Sequence, residues 1–503
     1  MAQLQIISGE RRQTLAVQPG TTILDALRAA GVQLTAPCGG THHCGKCRVQ
    51  ASGALSPVSA EEAALLAGDT ERLACFAHIL GDSSVTLPPS AVWQVLTAFH
   101  RPLHVPAQSD SSWGIACDIG TTTVAAYLLR GGYAEPVASV GEYNAQACFG
   151  ADVLSRIAYT MEHGPTQMQR TITGQLESLS LRLCRQADIR PGEVRSAVVT
   201  GNTTMLHLLC GLDAGPLALA PFTPASLFGM WTRLPLGAFA SLPVYLPPCV
   251  SAYVGADVVC GALATQLEAM PGTVLFLDVG TNGEMILKTD TQLLACATAA
   301  GPAFEGAGIS CGSGAVPGAI SHVWLEDGRL RYETIADRPP ESICGSGLID
   351  AAAALIQVGL LNRKGRLRAT LGGSCMIGQS GVCLTQKDIR ELQLAKAAVR
   401  AGIQTLLDAA ELLPEQLDQV VLAGGFGMAL PVASAAAIGL LPGVCAGRVV
   451  AAGNTAGAGA AQLLLDEAQT AQAASLAGRI RYLELAGNPQ FAKHFIKYLS
   501  LEP

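Results

Sequence analysis

The pattern of apolar and polar positions changes character along the chain. Residues 4–18 alternate around Gly9, which predicts a two-stranded hairpin. Residues 22–31 carry apolar side chains at helical spacing and end on a glycine, which predicts a short amphipathic helix. Val85-Thr-Leu87 predicts a closing strand just before Pro88-Pro89. Beyond residue 113 the apolar runs become continuous. Residues 114–129 read as a buried strand, a tight polar turn around Asp118-Ile-Gly-Thr-Thr-Thr123, and a second strand. Residues 273–287 repeat this with Asp278-Val-Gly-Thr-Asn-Gly283 in the turn. A further pair follows the same logic, since Ala197-Val-Val-Thr-Gly-Asn-Thr-Thr204 and Gln419-Val-Val-Leu-Ala-Gly-Gly-Phe-Gly427 are each a Val-Val strand ending in a glycine turn. Two halves with the same parts imply an internal duplication. Residues 384–399 form an amphipathic helix that Thr385 caps, with Asp388 three residues on.

Between the two patterns lies a stretch whose spaced Pro and Ser predict an unpaired connector, with residues 89–99 packing locally or extending the last strand. The expected organisation is a domain over 1–88, a linker over 89–112 and a larger domain over 113–503, with halves of about 113–265 and 266–503. The chain of 503 residues is half hydrophobic and 14% charged, which implies a large buried core. No apolar run approaches the roughly eighteen residues of a membrane span. A net charge of −7 without basic runs argues against nucleic acid as a partner. Sixteen cysteines with no recognisable leader point to a reducing cytoplasm. Cys117, Cys210, Cys260, Cys296 and Cys445 stand singly in apolar surroundings and read as small buried hydrophobes.

Four cysteines stand apart. Cys38, Cys44 and Cys47 lie in one glycine-rich loop with five and two residues between them, and Cys75 follows at a distance. Three thiolates in one loop with a remote fourth is how ferredoxins of the plant and vertebrate type hold a [2Fe–2S] cluster, and the five-residue gap is that of the vertebrate and bacterial branch. Structural zinc usually pairs two C-x2-C knuckles, of which this chain has one. A Rieske centre needs two Cys-x-His pairs, which are absent. Gly39, Gly40 and Gly45 let backbone N–H groups turn toward sulfur. His42 stands where such ferredoxins usually have glycine two residues before the second cysteine, so it carries strain if that position needs positive φ. His42 and His43 read as surface residues.

The paired turns have their own chemistry. Each Gly-Thr turn offers N–H and hydroxyl donors to phosphate oxygens, and each Asp at a strand end holds Mg²⁺ through water or orients an attacking water. Gly120, Thr121, Thr122, Thr123, Gly280, Thr281, Asn282 and Gly283 are the candidate phosphate binders, and Gly424 and Gly425 would let backbone approach an adenosine. Asp118 and Asp278 are the candidate catalytic acids; Glu284 or Glu305 is a candidate general base, with a structural ion pair as the alternative for either. No Walker motif is present.

The duplicated grip resembles the actin, sugar-kinase and heat-shock chaperone (ASKHA) superfamily of ATPases. A β-grasp [2Fe–2S] ferredoxin ahead of it resembles the reductive activators of corrinoid proteins. Thr298-Ala-Ala-Gly-Pro-Ala-Phe-Glu-Gly-Ala-Gly-Ile309, Ile343-Cys-Gly-Ser-Gly-Leu-Ile-Asp350 and the 384–399 helix are similar to that family too, and Tyr253-Val-Gly-Ala-Asp257 resembles the helix connecting the halves. The resemblance implies an α+β ferredoxin domain followed by a duplicated α/β ATPase domain. It implies ATP, Mg²⁺ and a cluster as cofactors, and ATP-dependent reduction of cobalt(II) to cobalt(I). The corrinoid would belong to a partner protein, because no Asp-x-His-x-x-Gly motif occurs here, and an upstream low-potential donor would supply the electron. Larger members carry a middle domain between ferredoxin and ATPase; the short linker here is read as its absence, which leaves a homodimer as an open expectation. The rival readings are a redox-regulated kinase, a nucleotide-gated sensor, and an ATP-driven reductase for a non-corrinoid acceptor.

Overall fold

The computed structural model describes every residue except 10, 33, 35, 37, 43, 67–70, 89–96, 100–101, 107–110 and 369–371. Two compact units result: Met1–Val92 with Tyr143–Gln175 and His207–Ala225, and Trp93–Glu142 with Leu176–Leu206 and Ser226–Pro503.

In the first unit the alternation of residues 4–18 becomes β1 (Ala2–Ser8) and β2 (Arg11–Val17), paired antiparallel from Ala2↔Val17 to Ser8↔Arg11. Helix α1 (Ile23–Ala29) is capped by Thr22, whose Oγ1 accepts from Asp25 N at 3.0 Å, and it buries Ile23, Leu24, Ala26 and Leu27. Then come β3 (Arg48–Leu55), α2 (Ala60–Leu65), β4 (Arg72–Leu73) and β5 (Ile79–Thr86), which starts well before the expected Val85. The sheet order is β2-β1-β5-β3-β4, with β1 parallel to β5. A buried ion pair steadies the last turn before Cys75: Glu62, fully buried, accepts from Arg72 Nε at 2.9 Å and Leu73 N at 2.8 Å. Residues 143–175 and 207–225 belong to this unit. They carry α3 (Val153–His163), the first half of α4 (Thr166–Gln186), the end of α5 (Thr203–Cys210) and α6 (Gly215–Ala218).

The second unit holds the duplication. One sheet runs β10-β11-β9-β6-β7-β8, from β6 (Trp113–Ile119), β7 (Thr123–Arg130), β8 (Ala138–Tyr143), β9 (Val194–Gly201), β10 (Met230–Thr232) and β11 (Val244–Leu246). The other runs β21-β20-β12-β13-β14-β22, from β12 (Val274–Val279), β13 (Gly283–Lys288), β14 (Leu293–Thr298), β20 (Gln419–Ala423), β21 (Val449–Gly453) and β22 (Ile480–Tyr482). In each, the hairpin strand bearing Asp pairs antiparallel with the next strand and parallel with the later Val-Val strand. Strands buried on both faces explain the continuous apolar runs. Helices α7 (Ala256–Ala264) and α12 (Thr455–Leu465) meet backbone to backbone; a Cβ on Gly459 would stand 2.1 Å from Cys260 O. A smaller sheet, β15 (Ala319–Glu326), β16 (Arg329–Thr334) and β17 (Ser342–Ile343), precedes α8 (Gly345–Gln357). The hairpin β18 (Ser374–Met376) and β19 (Cys383–Thr385) leads into α9 (Gln386–Ala409), whose capping box has Thr385 Oγ1 accepting from Asp388 N and Asp388 Oδ2 accepting from Thr385 N. Helices α10 (Gly424–Ala429), α11 (Val432–Ala437), α13 (Gln469–Arg479) and α14 (Pro489–Lys497) complete the unit.

Much of the predicted linker, residues 89–96, 100–101 and 107–110, lies outside the described residues. Its described part is not a bare connector. Phe99 packs at a 39° tilt against Tyr127 with centroids 4.6 Å apart, and Leu103 is buried with its N–H on Ala134 O at 2.9 Å.

Candidate functional site: a paired-thiol loop and a double acid-bearing turn

The four cysteines of the first unit come together as two pairs. Cys44 Sγ lies 3.3 Å from Cys38 Sγ, and Cys47 Sγ lies 3.4 Å from Cys75 Sγ. All four are free thiols; Cys47 and Cys75 are buried, Cys38 and Cys44 partly open. Two thiols on each side suit a two-iron cluster, where each iron takes two protein thiolates. The hydrogen bond from Cys75 brings Cys47 down to about 7, while the shared thiol bond and burial push Cys44 and Cys75 upward. A metal ion that binds such paired thiols displaces their protons. His42 does adopt φ 67°. That conformation costs a non-glycine residue roughly 1–2 kcal/mol. Two contacts offset it: the ring stacks on Phe76 at 4.4 Å, and Nε2–H donates to Cys75 O at 3.1 Å. His42 is thus a brace of the loop, and His43 lies outside the described residues.

In the second unit each Asp stands at a strand end before its turn. Gly120 N donates to Thr123 O at 2.9 Å and Gly280 N to Asn282 O at 2.8 Å, closing the two turns. The turns share one carboxylate: Glu305 Oε2 accepts from Thr122 Oγ1 and from Thr281 Oγ1, both at 2.9 Å. Glu284 lies across the hairpin from Asp278. Burial raises Asp118 to about 7, with mutual repulsion from Asp278 adding and a hydrogen bond from Asn454 opposing. Burial likewise raises Asp278 to about 6, and burial with repulsion from Asp257 and Asp278 raises Glu284 well above the usual carboxylate range. Buried carboxyls that repel one another ionise more readily beside a divalent cation.

Asp257 is a fourth member that sequence reasoning did not single out. It sits in the first turn of α7, rises to about 8 through burial and the charges of Asp118 and Asp278, and leaves no room for a Cβ at Gly255, 2.6 Å from its Oδ1. Two asparagines were missed as well. Asn202 Nδ2 donates to Thr121 Oγ1 at 3.1 Å while its Oδ1 caps α5 through Met205 N at 2.9 Å. Asn454 caps α12 through Gly457 N at 2.8 Å and donates to Tyr127 OH at 3.1 Å. The usable signal was local: each is a polar residue at a strand end or turn just before an Ala- or Thr-led helix. Gly424 opens α10 at φ 77°, where a Cβ would stand 2.5 Å from Asp278 Oδ1; nothing lies within 4 Å of a Cβ at Gly425. A Cβ on Gly283 would stand 2.7 Å from Thr298 Oγ1. The Cys344-Gly-Ser-Gly turn begins α8, and a Cβ on Gly345 would stand 2.1 Å from Phe304 O and 2.7 Å from the Phe426 ring, so protein packs closely on that helix end.

A ferredoxin-type module joined to a duplicated fold with two acid-bearing Gly-Thr turns defines a class: iron–sulfur electron carriers fused to an ASKHA ATPase. The comparisons agree by region. A 2Fe-2S iron-sulfur cluster binding domain matches residues 6–80, the RACo middle region matches 113–270, and the C-terminal domain of RACo, the ASKHA domain, matches 272–503. The corrinoid activation enzyme RamQ of Eubacterium limosum is 33% identical over 416 residues, covering 76% of this chain and 69% of that protein. A Methanosarcina barkeri reductase, named for a Co(II) methylated amine-specific corrinoid protein, is 27% identical over 425 residues, covering 77% of each. A solved structure titled reductive activator for corrinoid, iron-sulfur protein superposes with TM-score 0.69 at 28% identity, covering 100% of this chain and 98% of that one. The chain belongs to the family of reductive activators of corrinoid proteins. The match of the RACo middle region to 113–270 corrects one expectation: a segment of that description is present, in the stretch read as the first ATPase half.

Proposed function

We infer that this protein spends ATP to drive one electron onto cobalt(II) in a partner corrinoid protein, regenerating cobalt(I) for methyl transfer. The observation that carries the reading is the sharing of Glu305 by the two acid-bearing turns, on the same chain as two thiol pairs in a ferredoxin fold. Cys38, Cys44, Cys47 and Cys75 would hold a [2Fe–2S] cluster, which supplies one electron at low potential when bound. The main-chain and hydroxyl donors of Gly120–Thr123 and Gly280–Gly283 orient the nucleotide phosphates. Asp118 and Asp278 would hold Mg²⁺ and align water; Asp118, raised to about 7 by burial, is suited to take a proton from that water. Burial, with repulsion from Asp257 and Asp278 adding, holds Glu284 well above the usual carboxylate range. Glu305 acts as a tie between the grips, released when phosphate takes its place on Thr122 and Thr281. Breaking that tie is how nucleotide state reaches the rest of the unit, because a ligand shifts a conformational equilibrium only by binding its states differently.

For one electron each ~59 mV of uphill gap is a tenfold penalty, so modest differential binding of one cobalt state offsets it. An upstream low-potential reductant reloads the thiolate-held centre, the setting is cytoplasmic, and a homodimer is compatible with the family. The test is anaerobic. Reduced protein, MgATP and a cobalt(II) corrinoid protein are mixed, and the cobalt(I) absorption band and free phosphate are followed together. ATP-dependent growth of the band with release of free phosphate is expected. A phosphorylated product without cobalt(I) would mean a kinase, and nucleotide binding with neither output would mean a sensor.

A further inference from the structure

One arginine holds the cysteine loop of the first unit from the side. Arg28 closes α1, and its side chain is only 6% exposed. Its Nε and Nη2 donate to Cys148 O at 2.9 and 2.5 Å. Nη2 also donates to Gly39 O at 2.8 Å, and Nη1 to the largely exposed Asp25 at 3.1 Å. The guanidinium plane lies over the rings of Phe149 and Tyr159, 5.3 and 5.6 Å from their centroids. Gly39, the residue after Cys38, is pressed onto the same segment: a Cβ there would stand 2.7 Å from Phe149 O. This grip is more than α1 needs, since Thr22 caps the helix and four apolar residues already anchor it.

We propose that Arg28 is a positioning residue for electron transfer: it clamps the Cys38 side of the cysteine loop to residues 145–150, and its fixed charge raises the reduction potential of the centre those thiolates hold. The proposal rests on the iron–sulfur reading of the four cysteines. Reduction adds one negative charge to that centre. A guanidinium cation held one peptide from a thiolate ligand favours the more negative state. The surroundings are partly buried, so solvent screens the effect less than at a surface. Asp25 opposes it weakly because it faces water. The electron count is unchanged: one enters from the donor and one leaves to cobalt(II). The clamp governs how easily the first step occurs and how the partly open Cys38–Cys44 edge is presented for the second.

The test uses the full-length protein and three variants. Arg28→Gln removes the charge, Arg28→Lys keeps the charge but loses the fork, and Phe149→Leu removes a ring under the cation. Redox titration followed by EPR should show the reduction equilibrium of Arg28→Gln shifted about tenfold toward the oxidised state, ~59 mV lower. Arg28→Lys and Phe149→Leu should stay within about twofold of the parent. In cluster-free protein, amide hydrogen exchange over residues 145–163 should quicken in all three, a readout independent of iron. A parent-like potential in Arg28→Gln overturns the electrostatic role. Unchanged exchange in every variant that folds overturns the clamp. A parent protein that binds no iron would instead be the failure of the iron–sulfur reading, and the exchange result would stand apart from it.

Discussion

The two halves of the ATPase unit are built alike and finished differently. In the first, Asp118 pairs with Thr200, and the chain runs on through Gly201 to Asn202. In the second, Asp278 pairs with Ala423, and the chain runs on through Gly424 to Gly425. Asn202 and Gly425 therefore occupy matching places. Asn202 is nearly buried and braces its own turn through Thr121. Gly425 has open space where a side chain would go. The acids differ too: the second half adds Glu284 across the hairpin from Asp278, whereas the matching partner of Asp118 on β7 is Ala125. Duplication supplied two equal grips, and later divergence made one a rigid brace and left the other roomy. A nucleotide needs both, since phosphates are held best by a preorganised turn and a purine needs volume.

This asymmetry can be broken most sharply at the acids. Asp118→Asn and Asp278→Asn should each lower ATP hydrolysis by about a hundredfold or more. Visible absorption of the loaded protein should not change, because the thiols sit in a different unit. Loss of cluster and hydrolysis together would end the two-module account. Next in size are the glycines. Gly424→Ala imposes a left-handed backbone on alanine and crowds Asp278, so chemical denaturation should show a loss of about 1–2 kcal/mol. Gly425→Ala should leave stability within about 0.5 kcal/mol and weaken nucleotide binding in a calorimetric titration. Equal destabilisation by both would refute the claim that the second half is open at Gly425. Asn202→Ala removes a helix cap and a turn brace and should cost about 1 kcal/mol, whereas Asn282→Ala, at the place Thr122 holds in the first turn, should cost less.

The smallest expected effect is on pH. Asp118, Asp257 and Asp278 hold protons to about 7, 8 and 6 when folded, against about 4 for an unfolded Asp. Between these limits the folded protein binds more protons than the unfolded chain, so their contribution to stability falls as pH rises from about 4 to 8. Melting of the Mg²⁺-free protein should show that slope, and Asp278→Asn should flatten its lower part, up to about pH 6. Adding Mg²⁺, which prefers the ionised carboxylates, should flatten all of it. A slope indifferent to both changes would mean that the acids do not form one centre.

Much of this was legible in order along the chain. Cysteine spacing, the alternation of residues 4–18, the twin Asp-x-Gly-Thr turns and the Thr385–Asp388 cap are local signals, each set by residues within a few positions of one another. The strand–turn–strand pattern predicted both hairpins, whereas the register that sets Glu284 across from Asp278 came from the folded pair. Asp257, Asn202 and Asn454 were not legible as site residues, because their meaning comes from elements far apart in sequence. Asp257 is an ordinary first-turn acid until α7 brings it beside Asp118 and Asp278. Glu305 was named as a base, yet only the folded chain showed it bridging two threonines 159 positions apart.

By itself, then, the order of residues determined the kind of carrier and the duplicated clamp, because periodicity and short motifs report local geometry directly. Only the tertiary structure decided that the acids form one crowded centre and that Arg28 reaches both the cysteine loop and residues 148–149. Those outcomes depend on long-range packing, in which burial and neighbouring charge, set by distant segments, decide how each ionisable group behaves.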